Sequence, residues 1–369
     1  GCQTFGAMRR APLCARAAAA SAALLSAAAC GAAVALLVDS RRRQVRRARK
    51  RPVLRRRWLG LPDEAAAARE RQAAGGAQPF ALAGMPMGRC GSAWSDEYLD
   101  ATIGDLKVSA HVSPMAGLDF ASKNFAYEVM PMRDFLQRAR RENGDSRYYY
   151  YRSQHAKRNK ASTLDVLGPL AEDFALPDAI VQGYVPHSTV LRIASAGLRM
   201  WLHYDVCDNF LCCVRGRKRV VLIPPTEVGC FDVQGSSSAL GSRALDREPA
   251  ALERLWEEFP MAQAAWEARH EIVLDEGDAL FIPAMWLHCT EALASGNAGA
   301  ARSSGGRCCI SVNVFLKRAA QEALHDPRDV WANRELLPAQ EAFKALDDKA
   351  LPALRRLPPE HRSFYCRKA

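Results

Sequence analysis

The chain has 369 residues, of which 49% are hydrophobic and 25% are charged. This composition is that of a globular protein and excludes a wholly disordered chain, and the length allows one large domain with appendages. None of the twelve cysteines forms a C-x-x-C pair, so a zinc site or disulfide framework is disfavoured and we expect free, buried thiols in a reducing compartment.

The net charge of +11 is concentrated near the N-terminus. Residues 1–57 hold fourteen Lys and Arg against one acid, so the remaining chain is slightly acidic. The basic balance of the whole chain therefore says little about what the rest of it binds. The basic run at 41–57 is typical of contact with RNA or anionic lipid, and equally of a solvated flexible tail.

Residues 17–38 are uncharged and rich in alanine. A helix of this length could cross a bilayer, although so much alanine makes insertion marginal. The basic run at 41–57 would then keep the rest of the chain on the cytoplasmic side. An organelle presequence and a non-native start of the chain are the alternatives. We expect a cytoplasmic protein, with membrane contact through residues 17–38 and organelle targeting both left open.

The pattern changes after the basic run. We divide the chain into the N-terminal segment 1–57, a β-rich domain at 58–317 and a C-terminal helical region at 318–369. Short runs of apolar and β-branched residues separated by turn residues fill the second part and predict many short strands. Helices are predicted at 58–77 and from Ser95 onward.

A basic segment at 131–160 carries nine Lys and Arg against three acids and contains four consecutive tyrosines. If this part is a strand, Tyr148 and Tyr150 share one face, and Tyr149 and Tyr151 share the other. Cations mixed with aromatic rings are typical of RNA binding, and a solvated face is the alternative. The RNA-binding candidates are Arg147, Arg152, Lys157, Arg158 and Lys160.

The segment 201–225 predicts two strands that form a hairpin, with a tight turn at Arg215-Gly216-Arg217. His203 and Asp205 are two residues apart, which places them on one face of a strand. His288 lies 85 residues further on, in another β-type run. Two imidazoles and one carboxylate hold Fe(II) on one side and leave the other side open. An H-x-D pair alone is weak, and the distal histidine strengthens it.

Lys218 begins the second strand of the predicted hairpin, fifteen residues after His203. A cation at this place could meet the far carboxylate of a 2-oxo acid that chelates the metal. Taken alone, Lys218 would be one more surface base in the run R-G-R-K-R.

Several segments together resemble the JmjC-domain 2-oxoglutarate oxygenases, in the branch of small hydroxylases. The resemblance extends from about residue 78 to the C-terminus. The segments that carry it are Q-P-F-A-L-A-G at 78–84, L-D-F-A-S-K-N-F-A-Y at 118–127, Y-Y-Y-R-S at 149–153, H-Y-D-V-C-D-N at 203–209, F-I-P-A-M-W-L-H at 281–288, V-N at 312–313 and L-P-P-E-H-R-S-F-Y at 357–365.

The resemblance, together with the many short strands, implies a mainly β fold with flanking helices. The core would be a double-stranded β-helix, the jelly roll of the cupin class. It also implies Fe(II) as cofactor, 2-oxoglutarate and O2 as cosubstrates, and a set of site residues. These are His203, Asp205 and His288 as metal ligands and catalytic centre, Lys218 and Tyr150 (with Tyr149 second) on the far carboxylate of 2-oxoglutarate, and Asn209 and Asn313 beside the metal and cosubstrate.

Within this family the likeness is greatest to hydroxylases of the wyosine-type guanosine at position 37 of phenylalanine tRNA, which makes tRNA the expected partner. A dioxygenase that hydroxylates protein side chains is the first alternative. A membrane-tethered jelly-roll binding protein without catalysis is the second. Apolar positions between residues 342 and 357 suggest C-terminal helices that pair two copies, as in related hydroxylases, or that pack on the chain's own barrel.

Overall fold

The computed structural model describes residues 51–58, 78–120, 122–141, 144–293 and 308–368. The uncharged run at 17–38, residues 59–77 of the predicted helix and residues 294–307 lie outside these residues. Among the helices of the described ranges, none combines the length and the apolar character that crossing a bilayer requires.

Sixteen strands make up the β structure of the described residues. In chain order they are β1 (Arg51–Pro52), β2 (Leu54–Arg57), β3 (Phe80–Ala83), β4 (Lys107–Ser113), β5 (Ala126–Pro131), β6 (Tyr148–Arg152), β7 (Tyr184–Ser195), β8 (Arg199–His203), β9 (Asp208–Arg215), β10 (Arg217–Ile223), β11 (Val233–Gln234), β12 (Ser237–Ser238), β13 (His270–Leu274), β14 (Ala279–Ile282), β15 (Leu287–Leu293) and β16 (Cys308–Arg318).

Helices flank the strands at both ends of the fold. The α-helices are α1 (Cys90–Ala93), α2 (Asp96–Ile103), α3 (Met132–Arg140), α4 (Asp178–Val181), α5 (Pro249–Glu258), α6 (Pro260–Glu267), α7 (Leu337–Ala345), α8 (Leu351–Arg355) and α9 (Pro359–Lys368). A π-helical turn at Leu346–Ala350 joins α7 to α8. Shorter 3₁₀ turns lie at Leu164–Asp173, Pro225–Cys230, Arg243–Leu245 and Ala319–Leu324.

The strands form two sheets. The seven-stranded sheet has the order β1-β13-β10-β15-β8-β12-β11, and the nine-stranded sheet has the order β2-β3-β14-β9-β16-β7-β6-β4-β5. Successive strands from β8 to β10, and from β13 to β15, pass from one sheet to the other, which is the winding of a jelly roll. The predicted mainly β, cupin-like fold with flanking helices is confirmed.

The core divides according to the faces of the two sheets. Leu211, Leu222 and Leu280 come from both sheets and belong to one buried apolar cluster. A larger cluster joins the nine-stranded sheet to α2 and α3 through residues such as Phe135 and Tyr151. The nine-stranded sheet is therefore covered on both faces, which explains why β9 is buried along nearly its whole length.

The hairpin predicted at Gly216 is wrong, although both strands form where expected. β9 lies between β14 and β16 in the nine-stranded sheet, whereas β10 lies between β13 and β15 in the other sheet. Both edges of β9 are thus already hydrogen-bonded, and the chain crosses between sheets at Gly216. This residue has a φ of 75°, and a Cβ there would lie 3.1 Å from the backbone of Cys309. Glycine satisfies both constraints.

The folded body begins earlier in the chain than the expected boundary at residue 58. β1 pairs with β13 and β2 pairs with β3, so the end of the basic segment adds a strand to each sheet. Val53, between these strands, is buried, and Arg55 forms ion pairs with Asp275 and Asp278. The last arginines of the basic run therefore belong to the barrel, because they lie in strand β2. The acidic turn at 275–278 neutralises Arg55.

The C-terminal region leaves the sheet at Arg318 and becomes α-helical only at Leu337. Between them, residues 325–336 form an irregular segment that we call the C-terminal strap. No residue between 337 and 362 is buried, so this helical region does not pack into the barrel of its own chain.

Candidate metal centre and adjoining cavities

The structure brings together the three predicted metal ligands. His203 ends β8 and is paired in register with His288 at the start of β15. Asp205 lies two residues beyond the end of β8, in the loop that leads to β9. One ligand atom from each residue lies within 4.8 Å of the other two, and Asp205 Oδ2 is 3.5 Å from His288 Nε2.

Both imidazoles are oriented in the same way by the backbone. His203 Nδ1 lies 2.9 Å from the carbonyl oxygen of Trp201, and His288 Nδ1 lies 3.0 Å from that of Trp286. A carbonyl oxygen only accepts hydrogen bonds, so each Nδ1 carries the proton and each Nε2 keeps a lone pair. This is how metal-binding histidines are held in the correct tautomer.

The charge balance of the triad also fits a cation. Burial lowers the pKa of His203 well below its usual range, with neighbouring His288 as the second cause. Burial raises the pKa of the Asp205 carboxyl, and His288 and Arg192 oppose that effect. Two imidazoles and a buried carboxylate are the donor set of a divalent metal site.

Asn209 and Asn313 lie behind Asp205 rather than at a cavity. Asn313 Nδ2 donates a hydrogen bond of 3.2 Å to Asn209 Oδ1 between strands β16 and β9. The amide of Asn209 also helps to hold down the pKa of Asp205. Neither amide lines the two cavities described next. Their predicted contact with the cosubstrate stays a prediction.

One cavity is lined by residues of the triad, and a second cavity adjoins the first. The larger, which we call the outer cavity, has a volume of about 270 Å³ and is lined by His203, Asp205 and many aromatic residues. The smaller, the inner cavity, has a volume of about 20 Å³ and reaches Lys218 and Thr290. Tyr150, Arg192 and Met200 line both cavities, so the two adjoin through these side chains.

The inner cavity has a cationic wall without a matching acid. Lys218 is buried, and its Nζ donates a hydrogen bond of 2.7 Å to Ser311 Oγ. Arg192 Nη1 donates one of 2.7 Å to the hydroxyl oxygen of Tyr150, while its buried Nε has no hydrogen-bond partner. Neither cation forms an ion pair with a carboxylate of the described residues, although Arg192 acts on the Asp205 carboxyl from a longer distance. Such a wall is suited to an anion.

Tyr150 lines both cavities, whereas its neighbour Tyr149 does not. Strand alternation sends Tyr149 and Tyr151 into the cluster beneath the helices and Tyr150 toward the barrel interior. The hydroxyl of Tyr149 donates a hydrogen bond of 2.6 Å to Asp145, away from the metal ligands. Of the two tyrosines considered for 2-oxoglutarate, Tyr150 alone lines these two cavities, and its contact with the cosubstrate stays a prediction.

The five RNA-binding candidates do not form a single patch. Arg147 pairs with Asp145 at 3.0 Å and with Glu128 at 3.2 Å. Arg152 lines the outer cavity, where burial and nearby Arg192 lower its pKa to about 10. The remaining candidates are exposed in the loop that follows β6, namely Lys157, Arg158 and Lys160.

Sequence reasoning missed several residues around the cavities. Arg192 lies in the apolar strand β7, and its only sequence signal was a lone charge in the run T-V-L-R-I-A-S. Trp201 was noted only as the start of the metal segment. Trp331 lies in the C-terminal strap, which has no periodicity that would have marked it. The strand alternation around Ser311 could have placed that residue inward.

Comparisons with known proteins point to one family. The sequence profile of the cupin-like domain family matches residues 66–322. tRNA wybutosine-synthesizing protein 5 of Gallus gallus is 35% identical over 299 residues, which cover 79% of this chain and 86% of that protein. The Danio rerio protein of the same name is 35% identical over 302 residues, covering 79% and 84%. tRNA wybutosine-synthesizing protein 4 of Emericella nidulans is 32% identical over 295 residues, which cover 78% of this chain and 25% of that protein.

Proposed function

The chain belongs to the cupin-like, JmjC-type family of tRNA wybutosine-synthesizing protein 5, and from this premise we propose that it is an Fe(II)- and 2-oxoglutarate-dependent hydroxylase. Its proposed substrate is a wyosine-type guanosine at position 37 of phenylalanine tRNA, and the product is the hydroxylated nucleoside of wybutosine synthesis. The observation that carries this proposal is the convergence of His203, Asp205 and His288 beside a cavity with an unpaired cationic wall.

His203, Asp205 and His288 would hold the metal. When bound in such a site, Fe(II) supplies the activation of O2 that hydroxylation requires. The protein's own contribution is to fix both imidazoles through the carbonyl groups of Trp201 and Trp286. It also keeps the Asp205 carboxylate buried and close to His288, so that the ligands need no rearrangement.

Lys218, Arg192 and Tyr150 would receive 2-oxoglutarate. This dianion needs one end at the metal and a cationic pocket for the far carboxylate. Lys218 offers a buried ammonium with only the neutral hydroxyl of Ser311 beside it. The Tyr150 hydroxyl accepts its hydrogen bond from Arg192, which leaves its own proton free to be donated. All three line the inner cavity, which shares Tyr150 and Arg192 with the outer cavity that His203 and Asp205 line.

The lining of the outer cavity is suited to a planar aromatic group that is part of a larger, negatively charged polymer. Its lining combines aromatic rings with Arg152 and Arg192, and Gln154 leads into the loop that carries exposed Lys157 and Arg158. A base extruded from a loop of RNA is recognised by stacking on aromatic rings, while cations contact its phosphates. This arrangement favours a nucleic acid over a protein side chain.

We also propose a homodimer through the C-terminal helices. Phe343, Leu346 and Leu351 are each at least 41% exposed, and Phe364 is 62% exposed, although all are large and apolar. A second copy is the occupant that fits, because residues 341–356 carry both acids and bases and can face themselves across a twofold axis. Burying such side chains is the main gain of a dimer interface.

The decisive test is to incubate the protein with Fe(II), 2-oxoglutarate and tRNA from cells that lack it, and to analyse the nucleosides by mass spectrometry. We expect a single added oxygen on the wyosine-type nucleoside. His203→Ala and Asp205→Ala should abolish it. Oxygen added to protein extract but not to tRNA would favour a side-chain hydroxylase. Absence of iron binding and of 2-oxoglutarate decarboxylation would reject the enzyme altogether.

A further inference from the structure

Trp331 is a large aromatic residue that lies at the outer cavity without being part of the core. Its side chain is 40% exposed, and it belongs to none of the buried apolar clusters of the described fold. Tryptophan is rarely left at the surface unless it contacts a partner, because its indole buries more apolar area than other side chains.

The C-terminal strap holds this indole in a fixed relation to the metal ligands. The Asp329 carboxylate accepts a hydrogen bond of 2.9 Å from the backbone N–H of Trp331. The next residue, Ala332, is fully buried, and its carbonyl oxygen accepts one of 2.8 Å from the backbone N–H of Val206. Val206 directly follows Asp205. The ring of Trp331 is therefore tied to the loop that carries a metal ligand.

Arg152 supports the indole from behind. Its guanidinium carbon lies 4.2 Å from the centre of the Trp331 ring, which is a cation–π contact. Among the described residues Arg152 forms no ion pair, and Asp205 of the same cavity acts on it electrostatically from a longer distance. Its guanidinium is therefore available to the ring and to the cavity.

Two further aromatic residues, Phe120 and Trp201, line the same cavity. The rings of Phe120 and Trp201 are 5.4 Å apart, and Lys123 Nζ lies 3.2 Å from the centre of the Phe120 ring. The outer cavity therefore has two places where an aromatic surface is backed by a cation. Trp201 is anchored in β8, and its carbonyl oxygen already orients the metal ligand His203. Trp331 is anchored through the strap to the loop of Asp205, and its indole is 40% exposed, which leaves a broad surface for stacking.

We infer that Trp331, supported by Arg152, is the stacking platform for the fused ring of the substrate base. This inference rests on the proposed function and names the residue that distinguishes the modified base from an ordinary one. A wyosine-type base has a larger planar surface than guanine, so a broad indole stabilises it more than it stabilises the unmodified base. Trp331 does not touch the metal ligands and is a specificity-determining residue.

The test measures equilibrium binding of fluorescently labelled phenylalanine tRNA, which requires no turnover. Modified tRNA from cells that lack the enzyme is compared with an unmodified transcript of the same sequence. For Trp331→Ala we expect the Kd of the modified tRNA to rise by roughly 5-fold to 100-fold, which is the range for loss of one base–aromatic stack. The Kd of the transcript should change less than 3-fold. Trp331→Phe should retain most of the preference.

Leu324→Ala provides the matched control. Leu324 is 38% exposed, lies shortly before the strap and lines neither the outer nor the inner cavity. This variant should bind both RNAs like the wild type. Its succinate formation without tRNA should also match that of the wild type, because Leu324 lies outside both cavities.

Two results would overturn the platform. One is a Trp331→Ala protein that binds both RNAs as tightly as the wild type. The other is an equal loss for both RNAs, since this would indicate a general structural role for the strap. Failure of the proposed function has a different signature: the wild type would form no hydroxylated nucleoside, while the binding contrast between the two RNAs would still decide the role of Trp331.

Discussion

Lys218 Nζ donates a hydrogen bond of 2.7 Å to Ser311 Oγ, and in the described part of the chain this hydroxyl is the ammonium's one hydrogen-bond partner. Lys218 is only 5% exposed. A buried ammonium that faces a neutral hydroxyl gains much from an incoming carboxylate, because no acid of the described residues forms an ion pair with it. The relation of these two residues therefore predicts where the anionic end of the cosubstrate binds.

Replacing Lys218 by methionine keeps the length of the side chain and removes its charge. We expect the KM for 2-oxoglutarate to rise by roughly 30-fold or more, since losing one partner of a buried charge pair costs about 2 to 5 kcal/mol. Succinate formation at increasing 2-oxoglutarate concentrations measures this. Arg217→Met is the control, because Arg217 is the preceding residue of the same strand but pairs with Asp275 at the surface. Equal KM values in both variants would contradict the assignment.

Tyr150 and Tyr149 offer a matched pair of substitutions. Tyr150→Phe removes a hydroxyl group that lines the inner cavity and accepts a hydrogen bond from Arg192. The KM for 2-oxoglutarate should rise about 10-fold, because a hydrogen bond to a charged group contributes about 1.5 to 3 kcal/mol. Tyr149→Phe loses only its bond to Asp145. It should lower the free energy of unfolding by about 1.5 to 3 kcal/mol, because the acceptor is a carboxylate, and leave this KM unchanged. The reverse pattern would move the cosubstrate site to the other face of β6.

His288→Ala tests the metal centre directly. Its Nε2 is the ligand atom nearest to Asp205 Oδ2, and β15 supplies no other donor to the triad. We expect iron bound per chain to fall close to zero, and succinate formation to fall by more than the roughly 10- to 100-fold typical of an outer-shell change. His361→Ala, which removes an exposed histidine of α9, should leave both quantities unchanged. Full iron content in His288→Ala would reject the triad.

Strand identity and the candidate metal ligands could be predicted from the sequence because each depends on local pattern. The spacing of His203 and Asp205, the β-type run around His288 and the alternation of the four tyrosines are all properties of short segments. Resemblance to the oxygenases supplied the distant pairing of these segments. Tyr150 could thus be preferred over Tyr149 before any coordinates were considered.

What could not be predicted depends on contacts between distant segments. The turn at Gly216 has the same local signature whether its strands pair with each other or cross between sheets. Arg152 and Arg147 look alike in a basic run, yet one faces the outer cavity and the other pairs with Asp145. Trp331 lies where no periodicity exists, and its position depends on the backbone bond between Ala332 and Val206.

His111 predicts a specific dependence of stability on pH. It is 8% exposed, and burial lowers its pKa to about 4, with Arg152, Arg192 and Lys123 contributing in the same direction. Its ordinary pKa is about 6.5, so between these values the unfolded chain takes up a proton that the folded chain does not. The free energy of unfolding therefore decreases as pH falls from about 6.5 to about 4, by up to about 3 kcal/mol.

His111→Phe should remove this part of the acid sensitivity. A phenyl ring fits among the rings of Phe125, Tyr127 and Tyr150, which lie 4.6 to 5.3 Å from the imidazole. We expect the loss of unfolding free energy between pH 7 and about pH 4.5 to be smaller in this variant than in the wild type. Urea unfolding at several pH values measures it, with His361→Phe as the exposed control. Parallel curves for the wild type and His111→Phe would show that the histidine is charged in the folded chain.

The C-terminal helices predict the oligomeric state. Phe343 is 54% exposed and Leu346 is 50% exposed, and no residue of α7 is buried within the chain. Replacing both by aspartate would place two unpaired carboxylates in an apolar interface. We therefore expect the Kd of the dimer to rise at least 100-fold. Light scattering coupled to size exclusion measures the mass. Val228→Asp, at an exposed apolar position distant in sequence from these helices, should remain dimeric.

The monomer of the double variant should still bind iron and turn over 2-oxoglutarate without tRNA. The reason is that one chain supplies all the residues concerned, namely His203, Asp205, His288 and Lys218. A wild-type protein that is monomeric at micromolar concentration would contradict the proposed dimer.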